Sequence, residues 1–523
     1  MSTAVLPTST PGGDRRGSSI WLRLRIELVV FVLAIAARVL LTFTNAGQSG
    51  PPNYDPGVYY AAGDALTFGR LPYRDFILLH PPGLMLVLAP FALLGRLTTD
   101  HAGFITANFA FIVLAGVNSV LIVRIATRLG LGRMAALAGG LFYALWFGSA
   151  GAEYMLRLET LGNFFLLVGL LGYVVAENSP KRYPAILCGL GFGAAASVKI
   201  WWIVPLVLIL AWHLVARRPL RRLGLTTAGA AASLLLINGP FFLAAPSQMW
   251  HMVVTEQLGR GRGPTTALGR LNQLSSVGLF TVHLQHSSVV AVVVLFGAVF
   301  VGAAVLAWRV RGGRLMVVLA VAQLLLLVVA PSWFAFYTDY ATPALALTLA
   351  AAVGGAAVTA VRRGTAWRAG PVLCAAVPIA FFAAITIAIG VMRPAALIRP
   401  FPSRQLASAV ASPSYRCVMA DSPMGLIELN VLSRDFANGC RNWVDVSGRT
   451  YGVDRGRTAT GKPIGRSENL IWQRDLLNYL RSGQAIVLVR ISGTGISRAT
   501  LAAIRAGGVL KRAGGYTVYR VPG

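Results

Sequence analysis

Residues 53–83 read NYDPGVYYAAGDALTFGRLPYRDFILLHPPG. In a chain of 523 residues with only 18 Asp and Glu, this stretch holds Asp55, Asp64 and Asp75. The Asp55–Pro56 start, followed by Val58, Tyr59, Ala62 and Leu66, predicts a short amphipathic helix along a membrane surface, ending at Gly69. Tyr73, Asp75, His80 and the Pro81–Pro82 pair then predict a shaped loop. The flanking sequence is what makes that surface a membrane.

Upstream, Arg15, Arg16, Arg23 and Arg25 precede an apolar run from Ile26 to Phe43. The run is longer than a signal peptide's apolar region and long enough to span, so it reads as an uncleaved anchor with its N-terminus inside. Residues 1–19, rich in Pro, Ser, Thr and Gly, read as a disordered cytoplasmic tail. Downstream, apolar runs at 104–123, 134–150, 158–176, 184–198, 200–216, 225–245, 289–308, 315–332, 341–360 and 371–391 bring the expectation to about eleven transmembrane helices. Five arginine- or lysine-bearing loops then fall on the cytoplasmic side: 124–133, 181–182, 217–222, 309–314 and 362–368. Counting the apolar stretch 83–97 as a further span would move all five outside, so it reads as an interfacial or re-entrant segment. The stretch 184–216 has 33 residues with Lys199 inside it. Two full spans need about 40, so two short helices meeting at a cavity are expected.

Composition agrees. The chain is 56% hydrophobic and 12% charged, whereas soluble domains are about a quarter charged. That excludes an ordinary soluble enzyme, a disordered chain and a disulfide-dense scaffold. The net charge of +29 comes largely from arginines between apolar runs, which argues for membrane lipid and against nucleic acid as a partner.

After Met392 the composition changes. Strand-like runs at Cys417–Ala420, Ala485–Ile491 and Tyr516–Val521 alternate with helix-like runs at 425–432 and 468–481. The fold expected is therefore an all-α polytopic membrane domain, residues 20–392, with interfacial helices in a first outer loop at 45–103. A small C-terminal α/β extracytoplasmic domain follows at 393–523. That domain carries 19 Lys and Arg against 7 Asp and Glu. It suits anionic head groups or an acidic polymer, or simply a solvated basic surface. Cys417 and Cys440 both fall on its oxidising side and are read as a disulfide; Cys188 and Cys374 lie in spans as packing residues.

The chain resembles the GT-C superfamily of polyprenyl-phosphate-sugar-dependent glycosyltransferases, which includes protein O-mannosyltransferases, lipid A aminoarabinose transferases and actinobacterial cell-wall mannosyl- and arabinofuranosyltransferases. The residues that carry the resemblance are Arg38, Asp55, Tyr59, Gly69, Pro72–Tyr73, Asp75, His80–Pro81–Pro82, Glu159, Lys199 and the YTDYATP stretch from Tyr337 to Pro343. It implies an inverting transfer of a sugar, with mannose or arabinofuranose favoured, from a polyprenyl-phosphate donor to an extracytoplasmic hydroxyl on a glycolipid, polysaccharide or protein. Such chemistry needs a carboxylate to take the acceptor proton and cations to meet the charge growing on the departing phosphate.

The resemblance places the base at Asp55; as Asp before Pro it is equally an N-cap. Asp75 is the second carboxylate, for acceptor or metal, or else a partner of Arg74. Lys199 is the phosphate contact, or a lysine reaching for head groups. Arg38 would also reach phosphate, or pair with Glu159. Tyr59, Tyr73, His80, Glu159 and Tyr337 complete the candidate set, while Glu153, Arg157 and Glu159 also read as a structural charge network. Three aspartates in one loop leave a divalent cation open, with no hard-ion motif to support it. A lipid-linked-sugar flippase and an inactive wall-binding scaffold are the competing readings.

Overall fold

The computed structural model describes residues 14–44, 54–261, 263–277, 286–362, 369–392, 401–450, 464–490 and 495–522. The first 13 residues of the expected tail, and Arg363 and Arg368 of the 362–368 loop, lie outside the described residues.

Every one of the eleven apolar runs is helical, but they are not equal. Among the described residues, six helices are long and apolar enough to cross a bilayer alone: Leu24–Thr44, Asp100–Arg128, Leu158–Glu177, Leu220–Ala244, His286–Trp308 and Ala335–Thr359. Arg133–Leu145 and Phe147–Glu153, bent by 48° at Trp146, make a seventh if taken together. Tyr183–Ala196, Ile200–Val215 and Gly313–Val329 are apolar but short. At 1.5 Å per residue, the 14 residues of Tyr183–Ala196 span about 21 Å, less than the ~30 Å hydrocarbon core. Residues 83–97 are one further helix, Gly83–Leu97.

Close helix approach depends on missing side chains. Tyr183–Ala196 packs along Leu220–Ala244, and a Cβ on Gly189 would collide with the Thr226 carbonyl oxygen. The two backbones touch because neither helix carries bulk there.

The C-terminal segment holds a mixed sheet of order β1-β2-β4-β3, with β1 Val418–Ala420, β2 Ala485–Leu488, β3 Val509–Ala513 and β4 Tyr516–Arg520. β1 and β2 are parallel; the other pairings are antiparallel. Strand alternation gives the sheet two apolar faces. Met419, Ile486, Leu488 and Tyr519 face one way and pack with Trp472, Leu476 and Ile504. Val418, Ala420, Ala485, Val487 and Val518 face the other. They share a core with Met424 and Ile427 and, beyond those, with the loop helix Tyr54–Thr67. At the contact, a Cβ on Gly57 would stand 2.9 Å from Met424 Cβ. Cys417 and Cys440 form a disulfide that ties the start of β1 to the following loop, and Cys188 is a buried free thiol.

Candidate active site

The loop helix starts at Tyr54, so Asp55 sits inside its first turn rather than capping it. The C-terminal segment holds that end. Tyr54 Oη donates to Asp445 Oδ1 at 2.6 Å and accepts from the Ser447 N–H at 2.6 Å, while the Arg490 guanidinium lies 4.1 Å from the Tyr54 ring centre. Asp55 thereby meets Arg157, whose Nη1 donates to Asp55 Oδ2 at 2.9 Å. Arg157 is buried, with Phe336 3.9 Å beneath its guanidinium, but the Asp55 side chain is 40% exposed. A carboxylate held by a fixed cation and still open to solvent suits a general base.

Lys199 lies in the break between Tyr183–Ala196 and the 3₁₀ turn Ile200–Trp202, in extended conformation. Its ammonium donates to Glu159 Oε1 at 2.8 Å and lies 3.8 Å from the Trp201 ring centre and 3.9 Å from that of Tyr337. Its side chain is 2% exposed, so it does not reach for head groups. The ammonium has three protons; Glu159 takes one.

Tyr59 and His80 join the two charge pairs. Tyr59 lies one helical turn beyond Asp55, with its ring edge-on to His80 at 6.0 Å. Burial raises its hydroxyl pKa well above the usual value, helped by the charges of Asp55 and Glu159. His80 is held far below the usual histidine range by burial and then by the positive charges of Lys199 and Arg260, so it is neutral at physiological pH. Its loop is fixed from three sides. Tyr73, at φ +69°, donates its hydroxyl to the His80 carbonyl at 2.7 Å. Gln257 Nε2 donates to the Leu79 carbonyl at 2.6 Å. The Gly83 N–H donates to the Ser197 carbonyl at 2.9 Å, two residues before Lys199.

Other candidates lie elsewhere. Arg38, expected at a phosphate or against Glu159, is fully buried against Glu153. All five of its N–H donors are spent, on Glu153 and on the carbonyls of Ala34, Tyr143 and Ala144. No donor remains for a phosphate. The expected Glu153–Arg157–Glu159 network is divided: Glu153 serves Arg38, Arg157 serves Asp55 and Glu159 serves Lys199. Asp75 forks with Arg74 at 2.9 Å on both oxygens and accepts from the Leu71 N–H at 2.7 Å. It lines a separate cavity against the C-terminal segment. Tyr337 is buried and forms a wall of the Lys199 site rather than an open surface.

The three loop aspartates therefore diverge. Asp64 is buried, and the Ser433 hydroxyl lies 2.9 Å from its Oδ2 and 2.5 Å from Asp100 Oδ1. One hydroxyl proton cannot serve both, so the pair retains an acid proton. Burial, then the Asp100 charge, push the Asp64 carboxyl up to about 7. Among the described residues no three His, Cys, Asp or Glu side chains gather to hold a metal ion.

Sequence reading missed Arg260 and the partnership of Arg157 with Asp55. Arg260 lies in the stretch between Leu220–Ala244 and His286–Trp308, which carries no motif; the pairing of Arg157 with Asp55 spans 102 positions, beyond any local pattern.

Residues 78–331 match glycosyltransferase family 87, GT87; the match includes His80, Glu159 and Lys199 but not Asp55. No curated protein sequence matches the chain. In fold it is similar to ArnT from Cupriavidus metallidurans bound to undecaprenyl phosphate, with TM-score 0.58, 16% identity, and 96% of this chain and 98% of that one covered. It is similar to oligosaccharyltransferase AglB from Archaeoglobus fulgidus, in complex with an inhibitory peptide and a dolichol-phosphate, with TM-score 0.53, 11% identity, and 90% and 69% covered. It is also similar to the arabinofuranosyltransferase AftD from mycobacteria, with TM-score 0.51, 15% identity, and 94% and 40% covered. All three are GT-C glycosyltransferases.

Proposed function

We propose that this chain, a membrane glycosyltransferase of GT-C fold, moves one sugar from a polyprenyl-phosphate donor to an extracytoplasmic hydroxyl, inverting the anomeric carbon. Mannose and arabinofuranose are the favoured sugars, and a glycolipid, polysaccharide or protein is the acceptor. Residues 20–392 form the membrane domain and 393–523 an extracytoplasmic domain. The observation that carries the reading is the assembly of an open carboxylate, Asp55, with a buried ammonium, Lys199, through the Tyr59–His80 contact.

Asp55 takes the acceptor proton as the acceptor oxygen bonds to the anomeric carbon. The bond from that carbon to the phosphate oxygen breaks on the opposite face, and the phosphate leaves with the electron pair. The two Lys199 protons not given to Glu159 meet the charge that develops there, with the Arg260 charge close by. Arg157 holds Asp55 in place through the Nη1 contact. The phosphate is already a good leaving group, so no strong acid is required, which fits a neutral His80. The undecaprenyl and dolichol phosphates bound by the structural relatives support a lipid monophosphate in this role.

The test is Asp55→Asn, with transfer measured from a radiolabelled polyprenyl-phosphate sugar in membranes holding normally folded protein. General-base loss lowers turnover by about 10²–10⁴-fold; unchanged turnover removes Asp55 as the base, and no transfer by the wild-type protein leaves a flippase or scaffold standing.

A further inference from the structure

We infer that the cavity between the 70–77 turn and the 441–449 loop is a subsite for a neutral saccharide, the part of the acceptor that precedes the reacting hydroxyl. The inference rests on the transferase reading above and names a feature of its acceptor.

The cavity measures 420 Å³, within the roughly 300–1,000 Å³ usual for small-ligand sites. Arg70 and Asp75 line one wall; Arg441, Trp443, Asp445 and Arg449 line the other. Four of these six are held in place before any ligand arrives. Arg70 donates to the Cys440 carbonyl at 2.6 Å and stands 4.7 Å from the Phe436 ring centre. Asp75 is locked by Arg74 and the Leu71 N–H. Asp445 accepts from Tyr54 Oη and from the Gly448 N–H, each at 2.6 Å. Trp443 stacks on Tyr479, ring centres 4.4 Å apart and 8° from parallel. Arg441 and Arg449 are exposed, and Arg449 rests 5.0 Å from the Trp443 ring centre, where it is free to exchange the indole for a hydroxyl pair.

The lining selects a ligand class. Guanidinium donors and carboxylate acceptors stand beside one indole and the apolar side chains of Phe76, Ile77 and Val444. A sugar ring offers the complement, hydroxyls that both donate and accept around an apolar C–H face. A purely apolar chain would cover the exposed Arg441 and Arg449 without offering their donors a partner. A polyanion would meet the two carboxylates, Asp75 and Asp445. The position is also telling. Asp445 holds Tyr54, the neighbour of Asp55, and the Asp55 charge is felt at Asp445. A saccharide lying in the cavity therefore directs its end toward the proposed base.

The experiment uses the full chain in lipid nanodiscs, without donor, and ligand-observed saturation-transfer NMR with mannotriose, arabinofuranotriose and, as an anionic comparator, trigalacturonic acid. At least one neutral trimer is expected to bind wild-type and Asp55→Asn protein alike. Arg441→Ala and Arg449→Ala, both surface changes, are expected to weaken it by about tenfold, the loss of a charge-assisted hydrogen-bond pair. Failure of both neutral trimers to bind, equal affinity in the two arginine variants, or tighter binding of trigalacturonic acid overturns the subsite. Because no sugar is transferred, an Asp55→Asn variant that kept its turnover would remove the base and leave this result intact.

Discussion

Replacing Lys199 and Glu159 separately and then together distinguishes structural from chemical roles in the site. Both side chains are buried, at 2% and 1% exposure, and 2.8 Å apart. Glu159→Met leaves an ammonium with no counter-charge, and Lys199→Met leaves a carboxylate in the same position. Each single change is expected to cost about 3–5 kcal/mol of stability. In the double variant no charge is stranded. It loses the ammonium contacts to Trp201 and Tyr337, worth up to about 2 kcal/mol each when desolvated, and regains part through sulfur–aromatic contacts of about 0.3–1.5 kcal/mol. The expected net cost is about 0–3 kcal/mol, with a coupling energy of at least about 3 kcal/mol. Reversible unfolding of purified protein in mixed micelles measures stability; transfer from a radiolabelled lipid-phosphate sugar measures function. The double variant is expected to fold and yet fail to use the donor. If the single and double variants all unfold within about 1 kcal/mol of wild type, the buried pair is not as described. If the stable double variant transfers sugar normally, Lys199 is not the phosphate contact.

Other outcomes follow from the same contacts. The Asp64 carboxyl sits at about 7 when folded against 3.8 in the free residue. Stability from this group is full below pH 3.8 and is lost as pH rises to about 7, amounting to ~4 kcal/mol at most. Asp64→Asn should flatten the pH dependence of unfolding over that window. Asp435, also near 7 through burial, Asp445, raised by burial, and Asp100 at the shared Ser433 proton contribute to the slope that remains. An unchanged slope counts against the shared proton at Ser433. Gly189→Ala drives a methyl into the Thr226 carbonyl and is expected to destabilise by about 1–3 kcal/mol. A melting temperature within error of wild type contradicts the close packing of those helices. Cys417→Ser opens a loop of 23 residues and should cost ~3 kcal/mol, read as earlier proteolysis of the C-terminal segment, with no cost if the thiols are unpaired in the membrane-extracted protein.

The apolar runs were legible because a bilayer demands long uninterrupted stretches, and each expected span proved helical. Their inequality was harder to see: Tyr183–Ala196 is apolar in composition but short, and it packs flat against a neighbour through Gly189. Lys199 stood out because a charge between two short apolar runs has few innocent explanations. Its partner Glu159, 40 positions away, could be named as a candidate but not paired. Arg38 misled in the opposite direction, since its depth in the membrane fitted a phosphate contact and only the fold spends its five donors elsewhere. In the C-terminal segment, β3 went unrecognised because VLKRA carries two charges on an exposed edge. β2, apolar on both sides, was plain.

The shared core between the sheet and the loop helix sets a schedule for biogenesis. Gly57 and Met424, which touch when folded, are about 370 residues apart. At 5–20 residues per second the ribosome needs about 20–70 s to deliver the second after the first. Throughout that interval the helix bearing Asp55 is finished but uncovered, its apolar face without the partner that later seats it. The seat of the proposed base is thus completed last, by the arrival of the C-terminal segment.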